Sequence, residues 1–146
     1  VLNDLLVVLS MLTDIAFQEE EMERAEKIAS AGKQTALLYD QWGYSPLILP
    51  MELALKKKDV EKSIAYIREM FHMLTEPQHM SESVFYCHIY GKENFGRKYD
   101  EAMESYAERI LPGLLAEIKT DEGYAFLRGN EEFQEVLRTA ERFTKN

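Results

Sequence analysis

The residues with the greatest capacity for chemistry lie near the middle of the chain. Glu69-Met70-Phe71-His72 and Glu76-Pro77-Gln78-His79 are two Glu-x-x-His pairs, a spacing that sets a carboxylate and an imidazole on one helical face, as in the di-iron centres of helical bundles. Such a centre takes its two pairs from different facing helices and a further glutamate from each of two more. Here both pairs share one segment, and Pro77 breaks the second out of helical geometry. They read as a solvent-facing Glu and His followed by a polar loop, and neither a metal nor any other cofactor is assigned. Cys87 beside His88 is the other reactive combination. A thiolate and its base must face one another, whereas adjacent helical residues diverge by about 100°. Cys87 is expected to be a small buried hydrophobe. His88 reads as a group that fixes a helix end, with a ligand contact as the alternative. No catalytic residue is assigned and the chain is not expected to be an enzyme; a metal-dependent helical enzyme using His72 and His79 is the remote alternative.

Tyr39, Trp42, Tyr44, Tyr66, Tyr86 and Tyr90 supply apolar area with polar tips, suited to a groove that holds a peptide or small molecule. Tyr39 and Tyr66 fall on helical stripes and are expected in packing. The candidate ligand-binding residues are therefore Trp42, Tyr44, Tyr86, His88 and Tyr90.

The elements that position these residues show helical periodicity throughout, with no strand-like alternation. Val1 to Phe17 forms a first helix that is apolar nearly all the way round, so it needs neighbours on more than one side. Asn3, Asp4, Ser10, Thr13 and Asp14 interrupt it, and it is too short to span a bilayer. A preceding segment of a longer chain, or a second copy, would cover its outer face. A second helix, about Glu20 to Tyr39, carries Met22, Ala25, Ala29, Gly32, Ala36 and Tyr39 on one stripe, with small residues that admit a close partner. Ser45-Pro46 is expected to cap a third helix, with Pro50 in its first turn. Asp59 caps a fourth, with Val60, Ile64, Ile67, Phe71 and Leu74 on its stripe. After a loop from Thr75 to Ser81 come a short helix, Ser83 to Ile89, and a turn, Gly91 to Gly96. A long helix, Arg97 to Lys119, turns Tyr99, Met103, Tyr106, Ile110, Leu114 and Ile118 inward, with a kink or break at Pro112-Gly113. Asp121 starts a short helix through Leu127, and Asn130 caps the last, with Phe133, Val136, Leu137, Ala140 and Phe143 on one face.

The first two hairpins repeat. Glu21-Met22-Glu23-Arg24-Ala25 aligns with Asp59-Val60-Glu61-Lys62-Ser63 at an offset of 59 − 21 = 38, and Ile15-Ala16 with Leu53-Ala54 at the same offset. That period falls between tetratricopeptide lengths of about 34 and HEAT-like lengths of about 40 or more. The expected fold is all-α: stacked antiparallel hairpins of a tetratricopeptide-like α-solenoid, one domain over 1-146, with hairpins at about 1-40 and 45-75 and C-terminal helices at about 82-144.

The run Ser83-Val84-Phe85-Tyr86-Cys87-His88-Ile89, then Tyr124-Ala125-Phe126-Leu127-Arg128-Gly129-Asn130 with Glu132-Phe133, and the hairpin around Lys57-Lys58-Asp59, resembles a known family. It is the C-terminal tetratricopeptide-like domain of Xre-type (Cro/repressor-like helix-turn-helix) transcriptional regulators. The resemblance covers about two thirds of the chain, from Trp42 onward. It implies a domain that senses a signal or dimerises and thereby controls a DNA-binding head.

Composition agrees with such a role. The 146 residues include 26 acidic and 17 basic side chains for a net charge of -9, so a polyanion meets mostly repulsion. DNA is expected as a partner only through an upstream helix-turn-helix absent from this chain. One cysteine excludes an internal disulfide framework and suits a reducing, cytoplasmic setting. The expected function is regulatory, with a peptide or small-molecule effector, a possible homodimer and no membrane association. A free-standing tetratricopeptide-like adaptor for other proteins is the alternative.

Overall fold

Apolar residues at three- and four-residue spacing wind the chain into helices. The structure, a computed structural model, describes residues 1–41, 43–76, 82–87 and 95–144, with backbone alone over 95–104. The helices are α1 (Leu2–Gln18), α2 (Met22–Leu38), α3 (Ile48–Lys56), α4 (Val60–Thr75), α5 (Phe95–Thr120) and α6 (Glu131–Thr144), with 3-10 segments at Ser45–Leu47 and Glu122–Leu127. The described residues contain no strand, and none of their helices is long and apolar enough to cross a membrane. The chain divides into two compact units, Val1–Tyr66 and Ile67–Asn146, the boundary falling within α4.

In the first unit α2 is the central helix. Ala25, Ala29, Gly32 and Ala36 are all buried along one face, and α2 packs on α1, on the Ser45–Leu47 segment and on α3. A methyl group added at Gly32 would come within 2.7 Å of the Leu49 Cδ2 atom, so hydrogen at this position is what allows α3 to approach so closely. Ala16, Ala25, Ala29, Leu49 and Leu53 form the core, ringed by Leu9, Phe17, Met22, Ile28 and Ile48. Tyr39, expected on the stripe, is instead the exposed C-cap residue of α2.

Three helix ends close in the same way. Glu20, Asp40 and Lys58 adopt left-handed backbone conformations, with φ of 61°, 47° and 53°. After each, an amide reaches back to the third-last helical carbonyl: Glu21 N–H to Ala16 at 2.9 Å, Gln41 N–H to Ala36 at 2.8 Å and Asp59 N–H to Ala54 at 3.0 Å. The inner bonds, Glu20 to Phe17, Asp40 to Leu37 and Lys58 to Leu55, complete the Schellman pattern. The α1 and α3 closures stand 58 − 20 = 38 residues apart, so the offset seen in the sequence is repeated in the backbone of the turns. Asp59 then caps α4, its carboxylate accepting from Lys62 N–H at 3.1 Å. Val60, expected inward, is exposed, and the buried residues that follow are Ser63 and Ile64. Ser45 differs too. It is the first residue of the 3-10 segment, whose N-cap is Tyr44, and α3 starts at Ile48 with Pro50 in its first turn, where a missing N–H costs nothing.

The second unit buries Ile67, Met70, Phe71 and Leu74 of α4, Leu111, Leu115 and Ile118 of α5, Tyr124 and Leu127, and Phe133, Val136, Leu137 and Ala140 of α6. Tyr106, Ile110 and Leu114 are half-buried, so the inward face of α5 is centred one residue beyond the expected stripe. Phe143 is exposed. α5 begins at Phe95, which places Gly96 inside it, and it continues through Pro112. Glu108, Pro112 and Gly113 are exposed, so the carbonyl that proline leaves without a donor falls on a solvent-facing stretch, where its loss is least costly, and the helix persists. Asp121 accepts from Gly123 N–H at 2.7 Å, and Asn130 accepts from Phe133 N–H at 3.0 Å. Both caps stand where the sequence places them. The Thr75–Ser81 loop past Glu76, and residues 88–94, lie outside the described residues.

Two substitutions test these constraints in chemical denaturation. Lys58→Gly relieves a left-handed residue and is expected to raise stability by about 0.5–1 kcal/mol. Gly32→Val, driven into Leu49, is expected to lower it by about 1–3 kcal/mol.

Candidate functional site

A groove of about 370 Å³ opens on the first unit, lined from three helices. Each supplies residues at helical spacing: Glu26, Ala29, Ser30 and Lys33 from α2; Pro50, Leu53, Ala54 and Lys57 from α3; Asp59, Lys62 and Tyr66 from the start of α4. Ala29, Leu53 and Ala54 are buried and form an apolar floor. Long polar side chains rise around that floor because α2 presents only small residues there.

The lining carries three lysines against two carboxylates on a chain whose net charge is -9. Lys57 donates to the Glu26 carboxylate across the α2–α3 seam, which holds that carboxyl below the usual glutamate range. Lys62 lies 3.8 Å from Asp59, on whose other oxygen its own amide also bears. Lys33, half-buried, has no carboxylate partner among the described residues. The rim thus holds one uncommitted ammonium, with the hydroxyls of Ser30 and Tyr66 on the same lining. An apolar floor beside a cation suits a small amphiphile or a peptide bearing a carboxylate. The lining holds neither histidine nor cysteine.

The residues singled out from sequence do not converge on this groove. Tyr44 is half-buried ahead of the 3-10 segment and is not part of the lining. Tyr86, in the other unit, is half-buried and meets Phe85 edge-on at 6.4 Å. Trp42, His88 and Tyr90 lie outside the described residues. Tyr66, expected only to pack, lines the groove. Ser30, Lys33, Lys57 and Lys62 were missed, since a lysine at helical spacing reads as a solvated face until the neighbouring helix is placed.

Of the remaining reactive residues, His72 Nε2 lies 3.3 Å from Glu76 Oε1 with both side chains exposed, while His79 lies outside the described residues. Cys87 is half-buried, not fully so, at a turn where its amide donates to Ser83 at 2.8 Å. In the 124–133 motif, Arg128 donates to the Asp121 carbonyl at 2.8 Å and its own carbonyl accepts from Gln134. Those bonds fix the entry to α6.

A second polar cluster joins α1 to α3. Ser10 donates to Glu52 at 3.2 Å and Lys56 pairs with Asp14. Burial pushes the Glu52 carboxyl above the usual range, against the opposing pull of Ser10 and Lys56. Folding therefore favours its protonated form. That contribution is fully present below the unfolded pKa and is lost as pH rises through the folded one. Glu52→Gln is accordingly expected to raise the thermal midpoint at pH 7 and to leave it nearly unchanged in acid. An equal effect at both pH values in a pH-resolved thermal melt contradicts the assignment.

The chain matches no family model, no curated protein and no solved structure.

Proposed function

We propose that the chain is the regulatory domain of a helix-turn-helix transcriptional regulator, a tetratricopeptide-like module whose groove takes a peptide or small-molecule effector. The observation that carries this reading is the groove itself: an apolar floor between three helices with half-buried Lys33 in its lining. Two features support it. The Schellman closures at Glu20 and Lys58 recur at the 38-residue offset, as expected where one hairpin type is reused. The net charge of -9 suits a module that leaves contact with DNA to another domain.

Binding in such a groove acts on a distant DNA-binding head only if effector and DNA favour different arrangements of the whole protein. The cationic rim gives an anionic effector its purchase, and the small-residue seam beneath it is where a shift of α3 against α2 would be felt.

The test uses the parent protein. The sequence encoded ahead of Val1 is expected to hold a helix-turn-helix, and the parent is expected to retard DNA from upstream of its own gene in a gel-shift assay. The 146-residue chain alone is expected not to do so. Lys33→Glu is expected to alter reporter output from that promoter while leaving the thermal midpoint within about 1 °C, as surface changes do. A membrane anchor or enzyme domain ahead of Val1, or a reporter indifferent to Lys33→Glu, removes the reading.

A further inference from the structure

The groove of the first unit lies where the repeat elsewhere places core. At the 38-residue offset Ala25, Ala29, Gly32 and Ala36 of α2 match Ser63, Ile67, Met70 and Leu74 of α4, and all of them are buried. The buried stripe of α4 is wider. It also holds Ile64 and Phe71, whose counterparts on α2 are Glu26 and Lys33, and both of these line the groove. A helix packed on that wall of α2 would strip water from two charged side chains, a cost that burial seldom repays. The wall suits a small guest that itself carries charge.

The groove is polarised along its length. Gly32 lies against Leu49 and Glu26 pairs with Lys57, so α2 and α3 run antiparallel and the 57–59 turn lies at the Glu26 end. Lys62 pairs with Asp59 there, which leaves that end with two carboxylates and two ammonium groups in balance. Lys33 stands seven residues from Glu26, roughly 10 Å along the helix, and its cation has no carboxylate partner among the described residues. Between the two ends lies the apolar floor of Ala29, Leu53 and Ala54.

Resting on the reading of the groove as an effector site, we infer that it takes a small amphiphilic monocarboxylate. The head pairs with Lys33, and the apolar chain lies over the floor toward the pair of Glu26 with Lys57. Charge selects the head, since one unmatched cation answers one negative charge, whereas a phosphate monoester brings about −1.5 to −2 at neutral pH. A peptide is disfavoured for another reason. Its amides need hydrogen-bond partners, and the floor consists of apolar side chains on helices whose own backbone is already bonded. Size agrees: 370 Å³ is near the lower end of ligand cavities. With carbon–carbon bonds of about 1.5 Å advancing roughly 1.3 Å each when extended, an alkyl chain of about eight carbons spans the distance from Lys33 to Glu26.

Titration calorimetry on the whole chain compares octanoate, 1-octanol and octylammonium. Octanoate is expected to bind one to one, octanol at least about tenfold more weakly and octylammonium not at all. Lys33→Met is expected to weaken octanoate by about ten- to a hundredfold, the worth of a hydrogen bond to a charged group, and to leave octanol unchanged. Ser30→Phe, at an exposed position of the lining, is expected to weaken both by covering the floor, with far-UV circular dichroism unaltered in either variant. Octanoate bound no more tightly than octanol, indifferent to either substitution, or bound less tightly than octyl phosphate or a tetrapeptide with a free carboxylate overturns the proposal. The two readings fail separately. Absence of octanoate binding while Lys33→Glu still alters reporter output removes the ligand class and leaves the effector site. Octanoate binding in a parent without a helix-turn-helix removes the regulator and leaves the ligand class.

Discussion

The first unit depends on how closely other helices can approach α2. A helix presenting Ala25, Ala29, Gly32 and Ala36 on one face brings its neighbours' backbones nearer than larger side chains would allow, and close packing at native density follows. Leu49, set against Gly32 with no space for a methyl group, and Leu53 fill the seam from α3. The groove is a consequence of this arrangement. Where helices meet over small residues, the longer side chains at the edges of the contact stand above a shallow apolar floor, and here those side chains are Lys33, Lys57 and Glu26.

The turns that return the chain are equally constrained. Each Schellman closure satisfies carbonyls left over at a helix end, and each passes through a left-handed residue that is not glycine. Such residues cost about 1 kcal/mol or more apiece, yet the turns form because tertiary packing of the flanking helices outweighs that cost. The ion pairs laid across the seams, Lys56 with Asp14 and Lys57 with Glu26, add little by comparison, since exposed pairs are typically worth about 0–1 kcal/mol. Their effect is on the field around the groove. By engaging Glu26 and Asp59, two lysines neutralise the acids nearest the floor and leave Lys33 to set the sign.

In the second unit the same logic appears as capping. Asp121, Arg128 and Asn130 each bond to backbone groups around the 3-10 segment, and the segment delivers Tyr124 and Leu127 to the core. Residues that stood out in the sequence as a motif are thus explained by local hydrogen bonding. No ligand is needed to account for them.

From its sequence alone the chain is legible as all-helical, because periodicity, capping residues and breakers are local signals. Asp59, Asp121 and Asn130 cap the elements expected of them, and the 38-residue repeat foretells a repeated turn. What sequence could not decide was which face of each helix another helix would cover. Val60, Tyr39 and Phe143 read as core residues but are exposed, since periodicity defines a stripe without saying where along it burial stops. Lys33, Lys57 and Lys62 carry no local signal that groups them, yet they line one groove, a property of three helices together and of none of them singly. Likewise the uniform hydrophobicity of α1 is plain in the chain, whereas its division into a packed side and an exposed side was settled only when α2 and α3 took their places against it.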